Sequence, residues 1–534
     1  MQLVAYGAQD IYLTGNPQMS YFKVVYHRHT NFSMESIKQS FDGNADFGGD
    51  VVATISRSGD LLHRMYLEHS ATFSTGINYN VATDGLFLRN IGLCERYGHS
   101  LIKEAEIEIG GQIIDKHTSI WNRVYSDLTE FNPTGYYGGN TDDDRVAGES
   151  GSINGNGTLF QLMTGNGYGI NTEPGGTRHF DSGQEGQAKD INGFTYSAGT
   201  HAAGGGGGFA ETNPMKITVN KIFLPFYFWF CRNPGLALPL IALQYHEVKV
   251  KLKFVNVINI LRNINSASFG GIHNTSIDES QYPNKFFKLW CDYIYLDTDE
   301  RRRFAQVSHE YLIEQLQIIN TNIDTPDVNI KLNFNHPVKE LIWCGRNIGN
   351  YGRCGNGNSN SMSGRLGKDI HDPTAGPASI DTITGEWKLK LNGHDRFKKR
   401  DSKYFTRTQV WQHHMGYGGT PTEGSQSTLD DQEIYSDEHL AKGYQAKKTY
   451  SNDSISVYSF ALKPEEHQPS GTCNFSRIDS AILEGREIKT QGWKDSEDIN
   501  SIDNTNYKLD FTIFAVNYNV LRIMSGMGGL AYSN

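Results

Sequence analysis

The chain has 534 residues, 37% of them hydrophobic and 20% charged, with a formal net charge of −10 and a pI near 6.0. That length supports two or three packed domains, and that hydrophobic share excludes global disorder. The acidic balance argues against a general nucleic-acid-binding surface, which would be basic. No apolar run reaches about 18 residues, so no helix is expected to span a membrane.

Residue usage narrows the fold class. With 28 tyrosines, 27 phenylalanines and 57 glycines, aromatics and turns favour an all-β chain. The six cysteines (Cys94, Cys231, Cys291, Cys344, Cys354 and Cys473) include no CxxC pair and read as free thiols of a reducing compartment. Met1–Asp10 has neither a basic n-region nor an apolar h-region, so no signal peptide is expected.

In chain order, Met1–His29 reads as an arm leading into a first strand. Val51–His69 holds two strands around Ser58-Gly59-Asp60. Ala105–Ile109 alternates cleanly and turns at Gly110-Gly111 into Gln112–Ile114. Ser119–Phe131 is the best helix: Ile120, Trp121, Val124, Tyr125, Leu128 and Phe131 share one face, with Thr118 or Ser119 as cap. Residues 132–216 are dense in Gly, Asn, Ser and Thr and read as a surface insertion with little regular structure.

The apolar centre follows. Ile222–Phe230 (IFLPFYFWF) and Leu236–Leu243 read as two strands joined at the Asn233-Pro234-Gly235 corner. Val248, Val250, Leu252 and Phe254 then alternate with charged residues, as in a strand with one dry face. Phe286–Phe304 reads as another strand, ending in Arg301-Arg302-Arg303. Ile330–Phe334, Leu341–Trp343, Trp387–Leu391, Ser456–Leu462, Thr472–Ile478 and Phe511–Ile523 supply more. Asn392-Gly393 is a strong hairpin signal, and residues 345–385 form a second Gly- and Asn-rich insertion.

The halves echo each other. Glu106–Gly111 (EIEIGG) resembles Lys388–Gly393 (KLKLNG), and the aromatic–proline plan of Phe226–Leu240 recurs over Tyr458–Phe475. About eight short strands per half predict an eight-stranded jelly roll repeated twice, a double jelly roll with long loop insertions and a few short helices.

Five blocks carry a resemblance. They are QLVAYGAQDIYLTGNPQMSYFK (Gln2–Lys23), LPFYFWFCRNPGLALPLIALQYHEVKV (Leu224–Val250), DYIYLDTDERRRFAQVSHEYLIEQLQ (Asp292–Gln317), HQPSGTCNFSRID (His467–Asp479) and NYNVLRIMSGMGGLAYSN (Asn517–Asn534). In this order they resemble the major capsid proteins of nucleocytoplasmic large DNA viruses. The resemblance implies a structural protein, not an enzyme. It implies a homotrimer forming a pseudo-hexagonal capsomer that tiles an icosahedral shell. Neighbouring capsomers, minor capsid proteins and an internal membrane would be its partners, with no direct nucleic acid. It places the protein in the outer capsid shell of the virion, after synthesis and assembly in the host cytoplasm. The expected division is an arm over 1–26, a first jelly roll over 27–305, a linker over 306–312 and a second roll over 313–534.

No residue set points to catalysis, a cofactor or a metal. Asp297–Glu300 lies beside three arginines and reads as an ion-pair cluster. Asp142-Asp143-Asp144 lacks alternate-acid calcium spacing. His27 and His29 would share a strand face, and His413-His414 are adjacent, but neither pair has further ligands at zinc spacing. There is no GxxxxGK(S/T) loop or GxSxG elbow, and Gly526–Gly529 precedes no helix. Asn-X-Ser/Thr sequons stand at Asn31, Asn156, Asn274, Asn452 and Asn474; Asn156, Asn274 and Asn452 are the candidate glycan acceptors. A carbohydrate-binding or carbohydrate-cleaving β-sandwich is the alternative, distinguished by sugar affinity or turnover from a small assembly.

Overall fold

The computed structural model describes residues 14–18, 20–24, 26–74, 91–93, 97–130, 136–137, 156–157, 159–165, 189–191, 194–197, 201–203, 209–211, 216–263, 284–347, 380, 383–416, 418, 454–490 and 509–532. Eight strands build the first half: β1 (Phe32–Gln39), β2 (Asp50–Thr54), β3 (Leu61–Ser74), β4 (Ile102–Ile109), β5 (Gln112–Thr118), β6 (Lys216–Pro225), β7 (Val248–Phe254) and β8 (Lys285–Leu296). They pair antiparallel as β1-β8-β3-β6 and β2-β7-β4-β5.

The second half uses β9 (His309–Ile323), β10 (Val328–Lys331), β11 (Pro337–Asn347), β12 (Ile383–Leu391), β13 (His394–Asp395), β14 (Ser456–Ser459), β15 (Ala481–Thr490) and β16 (Leu509–Met524). These pair as β9-β16-β11-β14 and β10-β15-β12-β13. Adding eight to each label of the first half reproduces the second, so the internal echo is a repeated topology, and each half is a jelly roll.

Local chemistry explains the repeat. Val248, Val250, Leu252 and Phe254 are buried while the lysines between them are not, as a pleat with period two requires. The two echo motifs make equivalent hairpins, β4 to β5 and β12 to β13. Gly110 and Gly111 have φ of 58° and 87°, and Asn392 and Gly393 have 49° and 79°. Two consecutive positive φ values match the twist of the flanking strands, and Gly and Asn reach them at least cost.

Each roll has a core, and the first also takes in Ile313, Leu521 and Ile523 of the second roll. The first gathers Leu62, Leu67, Phe73, Ile107, Val250 and Leu289; the second gathers Trp343, Trp387, Leu389, Phe405, Leu483 and Phe511. Phe226, Phe228 and Phe230 stack in register at 6.1 and 6.0 Å within the first core.

Four expectations are corrected. The aromatic run is not a strand throughout: β6 stops at Pro225, and Trp229–Arg232 forms one helical turn before the Asn233 cap at the Pro234-Gly235 corner. A proline lacks the N–H a ladder needs, and the ring stack replaces the ladder. Phe286–Phe304 also divides. β8 ends at Leu296, Asp297 accepts from the Thr298 N–H at 2.8 Å, and helix α2 spans Thr298–Gln306. His27 and His29 precede β1 and lie on no strand. The 132–216 insertion contributes ordered elements. Phe194–Ser197 pairs with β6, Lys189–Ile191 pairs in turn, and Leu159–Thr164 is helical.

Candidate functional site: the junction of the two rolls

The expected helix exists as α1, Ser119–Thr129, with the Thr118 hydroxyl accepting from the Trp121 N–H at 3.3 Å. Its apolar face leaves its own roll. Trp121, Val124 and Leu128 pack on Ile342 and Cys344 of β11, Val457 of β14, and Phe514 and Val516 of β16. The Trp121 and Phe514 rings lie 5.1 Å apart. The carbonyls at the helix end find donors across the junction: Gly416 N–H to Leu128 at 2.7 Å, and Gly418 N–H to Asp127 at 2.8 Å. A Cβ on Gly416 would lie 2.4 Å from the Asp127 carbonyl oxygen, so only glycine allows this approach.

Beside this apolar patch sits a buried ionic network. Arg232 of the first roll donates to Glu314 of β9 at 2.7 Å and lies over the Tyr125 ring. Lys339 of β11 meets the other Glu314 oxygen at 2.8 Å. Its neighbour Glu340 contacts His414 at 3.1 Å, and the opposite His414 nitrogen contacts Glu465 at 2.9 Å. With His414 protonated, three cations face three carboxylates in a region where an isolated charge is costly.

The titrations follow from that balance. Burial alone would raise Glu314, but Arg232 and Lys339 outweigh it and hold the carboxyl below its ordinary value. Glu340 is lowered likewise, burial being outweighed by His414. Burial opposes the charge on His414, yet Glu340 and Glu465 prevail and raise it from 6.5 to about 9. A raised histidine stabilises fully below its unfolded value and loses that contribution as pH rises through its folded value. The His414 contribution, about 3 kcal/mol for a shift of that size, is therefore expected to disappear between pH 6.5 and 9. Urea unfolding across pH 6–10 checks this: the gap between wild type and His414→Gln should be widest at pH 6 and closed above pH 9. A constant gap would refute it.

A third contact closes the junction. Ser525 and Gly526 have φ of 52° and 80° and turn β16 into β17 (Met527–Leu530). The Tyr245 N–H donates to Gly526 at 2.9 Å, and the Gly528 N–H donates to His246 Nδ1 at 3.2 Å. The Gly526–Gly529 run is thus a hairpin seated on the first roll.

The other sequence candidates have separate places. Arg301 pairs not with these acids but with Asp60 at 2.9 Å, and Asp297 caps α2. Asn31 is exposed, and the Asn474 side chain caps Ser476. Asn156 pairs through its backbone with Tyr137. Asn274, Asn452 and Asp142–Asp144 lie outside the described residues, as do Cys94 and Cys354. Among the described residues no three His, Cys, Asp or Glu side chains gather as metal ligands. The sequence placed His414 only beside His413; its acids stand 74 and 51 residues away and carry no local signal.

Two jelly rolls of one topology, locked by a buried junction, define the class of double jelly-roll proteins. Comparison with known proteins specifies it. The model "Major capsid protein N-terminus" matches residues 20–297, and "Large eukaryotic DNA virus major capsid protein" matches residues 300–427 and 439–529. The major capsid protein of Pyramimonas orientalis virus is 43% identical over 100% of this chain and 99% of its own. That of Paramecium bursaria Chlorella virus 1 is 35% identical with the same coverage. The chain in the PBCV-1 capsid structure superposes with a TM-score of 0.60 at 30% identity, covering 96% of this chain and 100% of that one. The chain belongs to the family of large eukaryotic DNA virus major capsid proteins. It is a structural protein that forms the capsid shell of a large DNA virus, not an enzyme.

Proposed function

We propose that three copies assemble into a trimer whose six jelly rolls form a pseudo-hexagonal capsomer, and that such capsomers tile an icosahedral shell. The observation that carries this is the matched strand order of the two rolls together with the junction that holds them as one body. A threefold object with two similar barrels per copy has near-sixfold edges and can meet its neighbours alike on all sides. In this reading residues 1–26 are an arm, 27–305 and 313–534 are the rolls, and 306–312 links them. The insertions over 132–216 and 345–385 face outward; the first carries the candidate glycan acceptor Asn156, and Asn274 and Asn452 are further candidates outside both insertions. Minor capsid proteins and an internal membrane lie beneath the shell, nucleic acid is not contacted directly, and synthesis and assembly take place in the host cytoplasm. No catalytic residue, cofactor or metal takes part. Multi-angle light scattering of the purified protein should give three times the mass of the 59.8 kDa chain, and electron microscopy of its assemblies should show hexagonal blocks. A stable monomer would overturn the reading.

A further inference from the structure

The described residues before β1 are exposed throughout. Tyr21, Phe22, Val24 and Tyr26 are 86%, 100%, 72% and 84% exposed, and Phe32 and Met34 at the start of β1 are 52% and 50% exposed. The Phe22 N–H to Ser20 and His29 to Thr30 hydrogen bonds are local, as is the His29–Phe32 ring contact. β1 pairs with β8 on one side and has no partner on the other among the described residues. Six large exposed apolar side chains within fourteen residues, two of them on an open edge strand, are costly in water and mark an interaction surface.

Charge selects the occupant. Residues 20–31 contain Lys23 and Arg28 and no Asp or Glu; with +2 here and −10 overall, the rest of the chain carries −12. A second copy is thus the complementary partner, and its carboxylates would meet these cations. Two fixed charges fall short of the roughly four to eight that direct a segment to anionic lipid. Twelve residues reach up to about 40 Å when extended, well beyond the radius of gyration of one roll, about 18 Å. Tyrosine and phenylalanine supply the anchors that dominate protein interfaces.

We infer that Tyr21–Met34 is an intermolecular strap: its rings bury against a second copy of this chain, and Lys23 and Arg28 pair with carboxylates there. It rests on the shell-forming role but not on the number of copies per capsomer. The test uses full-length protein, with isotopically light and heavy copies mixed before assembly and treated with a zero-length amine-to-carboxylate cross-linker. Mixed-isotope links from Lys23 to Asp or Glu are expected. They should fall at least tenfold in Phe22→Ser/Tyr26→Ser, since the loss of even one interface anchor costs about that factor, with the circular dichroism unchanged. Lys23 links confined to single copies, or mixed links that survive the double substitution, would overturn the strap. Strip-dependent sedimentation with phosphatidylcholine–phosphatidylserine vesicles, without mixed links, would overturn it in favour of lipid. Light scattering of the same samples keeps the two readings apart. A trimer with only single-copy links removes the strap alone, and a monomer whose mixed links form only at high concentration removes the trimer alone.

Discussion

Replacing Glu314 with alanine is expected to destabilise the protein by about 3–5 kcal/mol, the cost of stripping the partner from a buried charge. Glu314 is 4% exposed and receives Arg232 and Lys339 on its two oxygens. Arg232 keeps a quarter of its side chain accessible, but Lys339 is 2% exposed and cannot turn to water. Its ammonium keeps the Pro464 carbonyl and loses the carboxylate. The effect should therefore be carried mainly by Lys339. A double-mutant cycle in urea isolates it: Lys339→Met in the Glu314→Leu background should recover most of the loss, since an apolar pair of similar volume removes both charges together. A Glu314→Ala cost below about 1 kcal/mol would mean that the network is as weak as an exposed ion pair.

Trp121→Ala is the second large effect, about 3–5 kcal/mol for a buried tryptophan truncated to alanine. Its consequence should differ in kind from an equal loss elsewhere. Trp121 lies in neither sandwich core; it fills the space between α1 and the outer face of the second roll, against Phe514. Its removal weakens the coupling of the rolls and leaves both cores packed. Calorimetry should then resolve one melting transition into two. Trp387→Ala is the control, because Trp387 stacks on Phe511 at 5.3 Å inside the second core. That variant should lower the stability of the second roll and leave α1 seated. A single unsplit transition in Trp121→Ala, at the wild-type temperature, would show that the helix does not couple the rolls.

Much of this was legible in the residues. The alternation of Val248–Phe254, the turns at Gly110-Gly111 and Asn392-Gly393, and the amphipathic face of α1 are local patterns, each set within about a dozen positions. The repeat was legible because equivalent hairpins need equivalent turn chemistry in both halves. Local pattern failed where tertiary contacts outweighed propensity. Phe226–Phe230 has strong strand propensity, yet Pro225 ends the ladder and ring stacking takes over.

What the chain alone determined is most of the strands, the turns at Gly110-Gly111 and Asn392-Gly393, and the number of rolls; β15 (Ala481–Thr490) carries no such reading and was fixed only by its pairing with β10 and β12. Only the tertiary structure decided where α1 spends its apolar face. Periodicity says that Trp121, Val124 and Leu128 need cover, but it does not say that β11 and β16, more than 200 residues later, supply it. The same holds for Arg232, Glu314, Lys339, Glu340, His414 and Glu465. Each is an ordinary charged residue in the sequence, and their pairing energy exists only once folding has removed the water between them.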